Sequence, residues 1–119
     1  MQVNTKTLEL AEKDYYIAHV GVVNALKGGS LSKMEMLVFA GFLYAIAIHG
    51  AENVFQLSGR KSAKEFVGTT SPAIISNHIR SLRDKKWILG EDNRLEIPAY
   101  LIPESDWQGY KLKLVNNRL

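Results

Sequence analysis

The chain has 119 residues, 46% of them hydrophobic and 23% charged, which supports one compact domain and excludes wholesale disorder. Its net charge of +3 permits a polyanionic partner without requiring one, and the absence of cysteine excludes disulfides, thiolate metal sites and a cysteine nucleophile. The longest apolar run, MLVFAGFLYAIAI at 36–48, is too short to span a bilayer, and the opening MQVNTKTLELAEKD lacks the order of a signal peptide. The expectation is therefore a cytoplasmic protein with no membrane partner.

In chain order, residues 5–10, TKTLEL, alternate polar and apolar and predict a short strand. Residues 14–26, DYYIAHVGVVNAL, suit either a helix or a buried strand; the helix is preferred, ended by Gly28 and Gly29. A second helix over 33–49 carries the clearest signals. Ser32 and Glu35 form a capping box, Leu31 and Met36 stand at the positions of a hydrophobic staple, and Gly50 is a stop. Its body is apolar on nearly every face, which predicts a central buried helix and leaves one side that a second copy could cover.

GRKSAKEFV at 59–67 predicts a short helix capped by Ser58, with Ala63, Phe66 and Val67 inward and Arg60, Lys61 and Lys64 outward. After the turn at Gly68, Ser71 is an N-cap and Pro72 takes N1, where its missing N–H costs nothing. The helix that follows runs to about Lys86, and Ile75, Ile79 and Leu82 fall on its buried stripe. Trp87-Ile88-Leu89 and Arg94-Leu95-Glu96-Ile97 flank GEDN and predict a β-hairpin. Pro98 and Pro103 mark irregular chain, and YKLKLV at 110–115 alternates strictly, so it is a last strand able to pair with 5–10.

The basic residues are concentrated in one part of the chain. Residues 58–94 carry eight Lys or Arg against four Asp or Glu, whereas residues 1–57 carry four against five. His19, His49 and His78 are widely spaced with no metal-binding pattern, KGGSLSK lacks phosphate-loop spacing, and no nucleophile elbow occurs. Tyr15, Tyr16 and Tyr44 read as core or interface aromatics. No catalytic set, metal or cofactor is expected.

Helix, tight turn, second helix and hairpin form the order of a winged helix-turn-helix. TSPAIISNHIRSLRDKKWI resembles the recognition helix of winged-helix regulators, including MarR-like proteins and replication initiators, and LSKMEMLVF resembles the capped helix that precedes it there. More loosely, DYYIAHVGVVN with LEIPAYLIP and YKLKLV resembles small winged-helix proteins of tailed bacteriophages. The resemblance implies an α+β fold class, mainly α, with a C-terminal β-hairpin wing and short terminal strands. It places a single domain over 1–119, with 31–97 as its core and 1–30 and 98–119 as extensions.

It further implies binding of double-stranded DNA, as a small transcriptional or replication regulator, in the form of a homodimer or larger homo-oligomer. The groove-facing positions are then Ser71, Pro72, Ala73, Ile74, Ser76, Asn77 and Arg80. Asn77 is placed to read adenine, Arg80 to read guanine or hold a phosphate, and Ile74 to meet a thymine methyl. Arg60, Lys61, Lys64, Arg83 and Lys85 take phosphates, and Arg94 sits at the wing tip.

Bland readings compete with these assignments. Arg80, Arg83, Lys85 and Lys86 also suit a solvated helix end beside the negative pole of the dipole, and Arg60, Lys61 and Lys64 suit a solvated face. Pro72, Ala73 and Ile74 are apolar, a composition better suited to packing on protein. The alternative expectation is therefore a non-enzymatic adaptor, such as a bacteriophage virion or assembly component bound to phage structural proteins.

Overall fold

The computed structural model describes residues 5–91 and 94–118. Ser32 opens the central helix, α2 (Lys33–His49), through a complete capping box: its Oγ accepts from the Glu35 N–H at 3.1 Å, and its own N–H donates to Glu35 Oε1 at 2.8 Å. Three other helices pack on α2: α1 (Glu12–Leu26), α3 (Leu57–Val67) and α4 (Pro72–Asp84), with α3 the most extensive contact and α3 and α4 also touching. A one-turn 3-10 helix, Ala99–Leu101, follows. The expected helix at 33–49 is met residue for residue.

The first segment resolves to a helix, with Glu12 and Asp14 in the first turn where the helix dipole favours acids. Its stop is built by Asn24, whose C=O accepts from Gly29 at 2.7 Å while its buried side chain accepts from the Leu31 N–H at 3.0 Å. That bond folds the loop back and delivers Leu31 to the core. The third helix begins at Leu57, ahead of the expected Ser58 cap, and its N-cap Gln56 makes no side-chain cap bond.

Close backbone contact, not capping, sets the α2–α3 packing. A Cβ on Gly41 would lie 2.6 Å from the Ala63 Cα, so Gly at this mid-helix position lets the two axes approach. The core gathers around Val38, Phe39, Phe42 and Leu43 of α2, which meet Val20 of α1, Ala63 of α3, and Ile75, Ile79 and Leu82 of α4. Apart from its ends, where Met34, Ala47 and Ile48 are exposed, α2 is covered by its own chain. The expected open side of that helix is absent.

The fold class differs from expectation. Among the described residues there is no strand or sheet, so the class is all-α rather than α+β, and the winged architecture is not present. What stands at the wing position is one antiparallel bridge between Leu89 and Glu96, with both hydrogen bonds at 2.9 Å. The reason lies at the end of α4.

Lys86 takes a left-handed conformation (φ 67°), the Lys86 N–H donates to Arg83 C=O at 3.0 Å, and the Trp87 N–H donates to Leu82 C=O at 2.9 Å. These two bonds form a Schellman stop, completed by the buried Leu82 and Trp87 side chains. Ile88 also donates to Leu82 at 3.3 Å, so two of the three residues expected to open the hairpin are held by the helix end. Trp87 instead becomes a core anchor, 1% exposed and edge-on to Phe39 with centroids 5.1 Å apart. On the other side Pro98 has no N–H to extend the ladder.

The middle of the expected turn, residues 92–93, lies outside the described residues. The segments 5–10 and 110–115, expected as strands, form neither a strand nor a bridge. Their alternation states which face would be buried, yet it supplies no neighbour, and a two-stranded pair alone is marginal in water.

Candidate nucleic-acid interface

α4 is oriented by both ends and by its inner stripe. Ser71 caps it, accepting from the Ile74 N–H at 3.4 Å, with Pro72 at the first helical position. Ile75, Ile79 and Leu82 are buried, as the spacing predicted, which leaves Pro72, Ala73, Ile74, Ser76, Asn77 and Arg80 exposed. Ser71 is half-buried and its hydroxyl serves the helix N-terminus.

The basic residues divide into those held inside the fold and those directed outward. Arg60 donates from Nε to Phe55 C=O at 2.9 Å and from a terminal nitrogen to Ser76 Oγ at 3.1 Å, so it ties α3 to α4 and occupies Ser76. Arg83 donates to Gly90 C=O at 3.0 Å and holds the bend after α4. Gly90 is required there: its φ is 96°, and a Cβ would meet Arg94 C=O at 2.0 Å.

Lys85 is the most firmly engaged. Its Nζ lies 2.7 Å from Glu35 Oε1 and 2.7 Å from Ser30 C=O. Glu35 in turn accepts from Ser81 Oγ at 2.5 Å through its other oxygen, and its side chain is only 5% exposed. Burial opposes ionisation of this carboxyl, but the hydrogen bonds from Lys85, Ser81 and Ser32 outweigh it and hold the group down at about 2. One acid therefore joins the start of α2, the end of α4 and the preceding loop. The capping role of Glu35 was legible from Ser32; its pairing with Lys85, fifty residues away, was not.

The remaining cations fall in two places. Arg80, Arg83 and Lys86 line an open depression of about 550 Å³ with Asp84, Ile88, Leu89, Gly90 and Glu91. Lys61 instead lines a separate depression beside the end of α2, with Tyr44, Ile48, His49, Leu57 and Glu65. Lys64 is half-buried on α3 and Arg94 is exposed beyond the bend. The two ion pairs among the described residues are Lys13–Glu65 at 4.0 Å and Lys85–Glu35, so Lys61, Lys64, Arg80, Lys86 and Arg94 have no acidic partner there. The structure brings Arg80 and Arg83 together with Lys86 and does not join them to Lys61.

A second polar cluster escaped the sequence reading. Buried His19 on α1 has its Nε2 2.8 Å from Leu101 C=O, which can only accept, so Nε2 carries the proton and Nδ1 accepts from the Tyr110 hydroxyl. Burial lowers the basicity of His19, partly offset by the bond to Leu101, and burial raises the Tyr110 phenol to about 12. Tyr15, one turn earlier, donates to Glu104 C=O at 2.5 Å. These bonds strap residues 101–110 along α1. His78 is half-buried on α4, and no group of three His, Cys, Asp or Glu among the described residues could hold a metal ion.

The arrangement defines a small all-helical protein with a capped surface helix beside a depression lined by three cations and two acids. No family model, curated protein or solved structure matches the chain. No described helix is long and apolar enough to cross a membrane.

Proposed function

We propose that this protein is a non-enzymatic regulator that binds double-stranded DNA, laying the exposed face of α4 against a groove. The observation that carries the reading is the run Ala73, Ile74, Asn77 and Arg80, which leads along one exposed helix face into the depression lined by Arg80, Arg83 and Lys86. Asn77 supplies the base-reading amide, Arg80 and Lys86 contact phosphate, and Ile74 packs on an apolar base edge. Lys85 and Arg60 have structural roles in this reading and belong outside the interface. Arg83 positions the bend that forms one wall of the depression.

The test is a salt-titrated selection against random duplexes, followed by Arg80→Ala and Asn77→Ala. Each phosphate left without its cation should lower the slope of log affinity against log salt by about 0.9, so Arg80→Ala should flatten it by close to that amount. Asn77→Ala should leave the slope unchanged and reduce discrimination at one base pair by about 1–3 kcal/mol. Both positions are exposed, so the helical signal and thermal midpoint should hold. Absence of salt-sensitive binding to any duplex refutes the proposal.

Protein docking is favoured instead by a single feature, the apolar start of α4 at Pro72, Ala73 and Ile74, with Ile74 39% exposed. Under that reading Ile74→Asp would abolish a stoichiometric protein complex, and Arg80→Ala would not.

A further inference from the structure

From Leu95 to Tyr110 the chain holds three acids and no lysine or arginine, and within this stretch a short loop, ESDWQGY at 104–110, is fastened to α1 at both ends. The Tyr15 hydroxyl donates to Glu104 C=O at 2.5 Å, and the Tyr110 hydroxyl is bonded to His19 one turn further along the helix. The Glu104 N–H donates to Gln108 Oε1 at 3.1 Å, which draws the two sides of the loop together. Trp107 stands in the middle, 73% exposed. One edge of its ring lies against the backbone at Gly109, where a Cβ would come within 3.1 Å of it.

An indole left in water on an anchored loop has the form of an interface hot spot, because little freedom remains to be lost when a partner covers it. Charge says which partner. Neither Glu104 nor Asp106 takes part in an ion pair among the described residues, and Lys111 and Lys113, just past the anchor at Tyr110, pair with neither. Burial first, then the Tyr16 phenol and the carboxylates of Glu104 and Asp106, push the Tyr15 phenol up, so the charge of both acids is felt at α1. Glu12 and Asp14 add two more acids at the start of that helix. Such a surface repels nucleic acid and anionic lipid. It attracts a cation, and indole is the best of the aromatic rings at holding one over its face. Guanidinium suits both features, being planar, weakly hydrated and able to pair with a carboxylate.

We propose that the 104–110 loop docks a partner protein by stacking one of the partner's arginines on Trp107, with Glu104 and Asp106 meeting its charge. Tyr110, 42% exposed at the end of the loop, and the half-buried Tyr15 extend the contact with further aromatic area. The loop belongs to α1, whereas the proposed DNA contacts are on α4, so the inference is independent of what α4 binds.

The probe is a short peptide of alternating arginine and glycine, with its lysine counterpart as control, titrated into the full chain at low salt. Trp107 and the buried Trp87 are the two tryptophans, so their indole N–H signals in NMR separate the loop from the core. The arginine peptide should shift the Trp107 signal saturably and leave Trp87 in place. Read from peptide diffusion, it should bind more tightly than the lysine peptide, and Trp107→Leu should weaken it by about two- to fivefold. Glu104→Gln with Asp106→Asn should also weaken it, by a factor that vanishes in high salt. That pair spares the loop, whose bonds at Glu104 use its backbone, and an unmoved Trp87 signal shows that each variant is folded. No Trp107 shift at millimolar arginine peptide overturns the proposal. So does equal binding of the two peptides, or binding that Trp107→Leu leaves unchanged, either of which would reduce the loop to a diffuse acidic surface. A larger Trp107 shift with duplex DNA than with the peptide would overturn it in favour of nucleic acid.

Discussion

Replacing Glu35 by Gln tests the buried hub directly. Gln keeps the shape of the side chain and can still accept from the Ser32 N–H, so the capping geometry survives while the charge facing Lys85 is lost. The carboxyl is held at about 2 against an ordinary 4.5. At about 1.36 kcal/mol per unit, that depression corresponds to an upper bound of about 3 kcal/mol at neutral pH. The partner Lys85 is about one-third exposed, so water recovers part of this, and a loss of about 2 kcal/mol is the working expectation.

The sign with pH follows from linkage. A carboxyl whose folded value lies below its unfolded value stabilises fully above the unfolded value, and the contribution fades as pH falls through the folded one. The stability gap between parent and Glu35→Gln should therefore be constant from pH 7 to about 5 and shrink to less than half by pH 3. Urea unfolding at pH 7, 5 and 3 measures it. A gap that is absent at pH 7, or that persists unchanged to pH 3, would show that charge at Glu35 does not stabilise the fold. Lys85→Met, which keeps the aliphatic stem, should reproduce the loss at pH 7 and leave any DNA salt slope unchanged.

Gly41→Ala puts a methyl 2.6 Å from the Ala63 Cα, so α3 must move off α2; a loss of about 1–3 kcal/mol is expected, and an unchanged thermal midpoint would refute the close-approach argument. Lys86→Gly relieves a left-handed lysine at the Schellman stop and should raise stability by up to about 1 kcal/mol in urea unfolding, while lowering DNA affinity through the missing cation. Burial disfavours the charged form of His19 more than the bond to Leu101 favours it, so its NMR titration midpoint should lie below 6.5, and stability should fall as pH drops from 6.5 through that midpoint; a midpoint above 6.5 would show that burial does not dominate at this ring.

The helices were legible because their signals are local. Ser32 with Glu35, Ser71 with Pro72, and the Ile75, Ile79, Leu82 stripe each depend on residues within two turns of one another, and each stands as read. The hairpin was misread because Trp87-Ile88-Leu89 satisfies two patterns at once. β-Branched and aromatic composition points to a strand, but a lysine in the left-handed region hands the same amides to Leu82. Nothing in the lysine-rich DKKW announces that conformation, since glycine is the residue that normally marks it. Gly41, by contrast, was a missed signal: a glycine inside an otherwise strong helix implies close backbone contact.

The same locality explains what happened to the charge argument. Arg60, Arg83 and Lys85 sit in the basic segment, and each reaches an acceptor that is distant in sequence or belongs to the backbone: Phe55 and Ser76, Gly90, and Glu35 with Ser30. A count of cations therefore overstates what can grip a ligand, because Glu35 offsets the charge of Lys85, and Arg60 and Arg83, although they keep their charge, commit N–H donors to acceptors within the fold. Arg80 differs by position. It follows the buried Ile79 and precedes the half-buried Ser81, so the helix turns it outward at the point where the exposed α4 face meets the depression. A polyanion that binds here should depend on Arg80 more than on any of the three engaged cations, and that ordering, read from salt slopes of the four single alanine variants, separates a built interface from a merely basic segment.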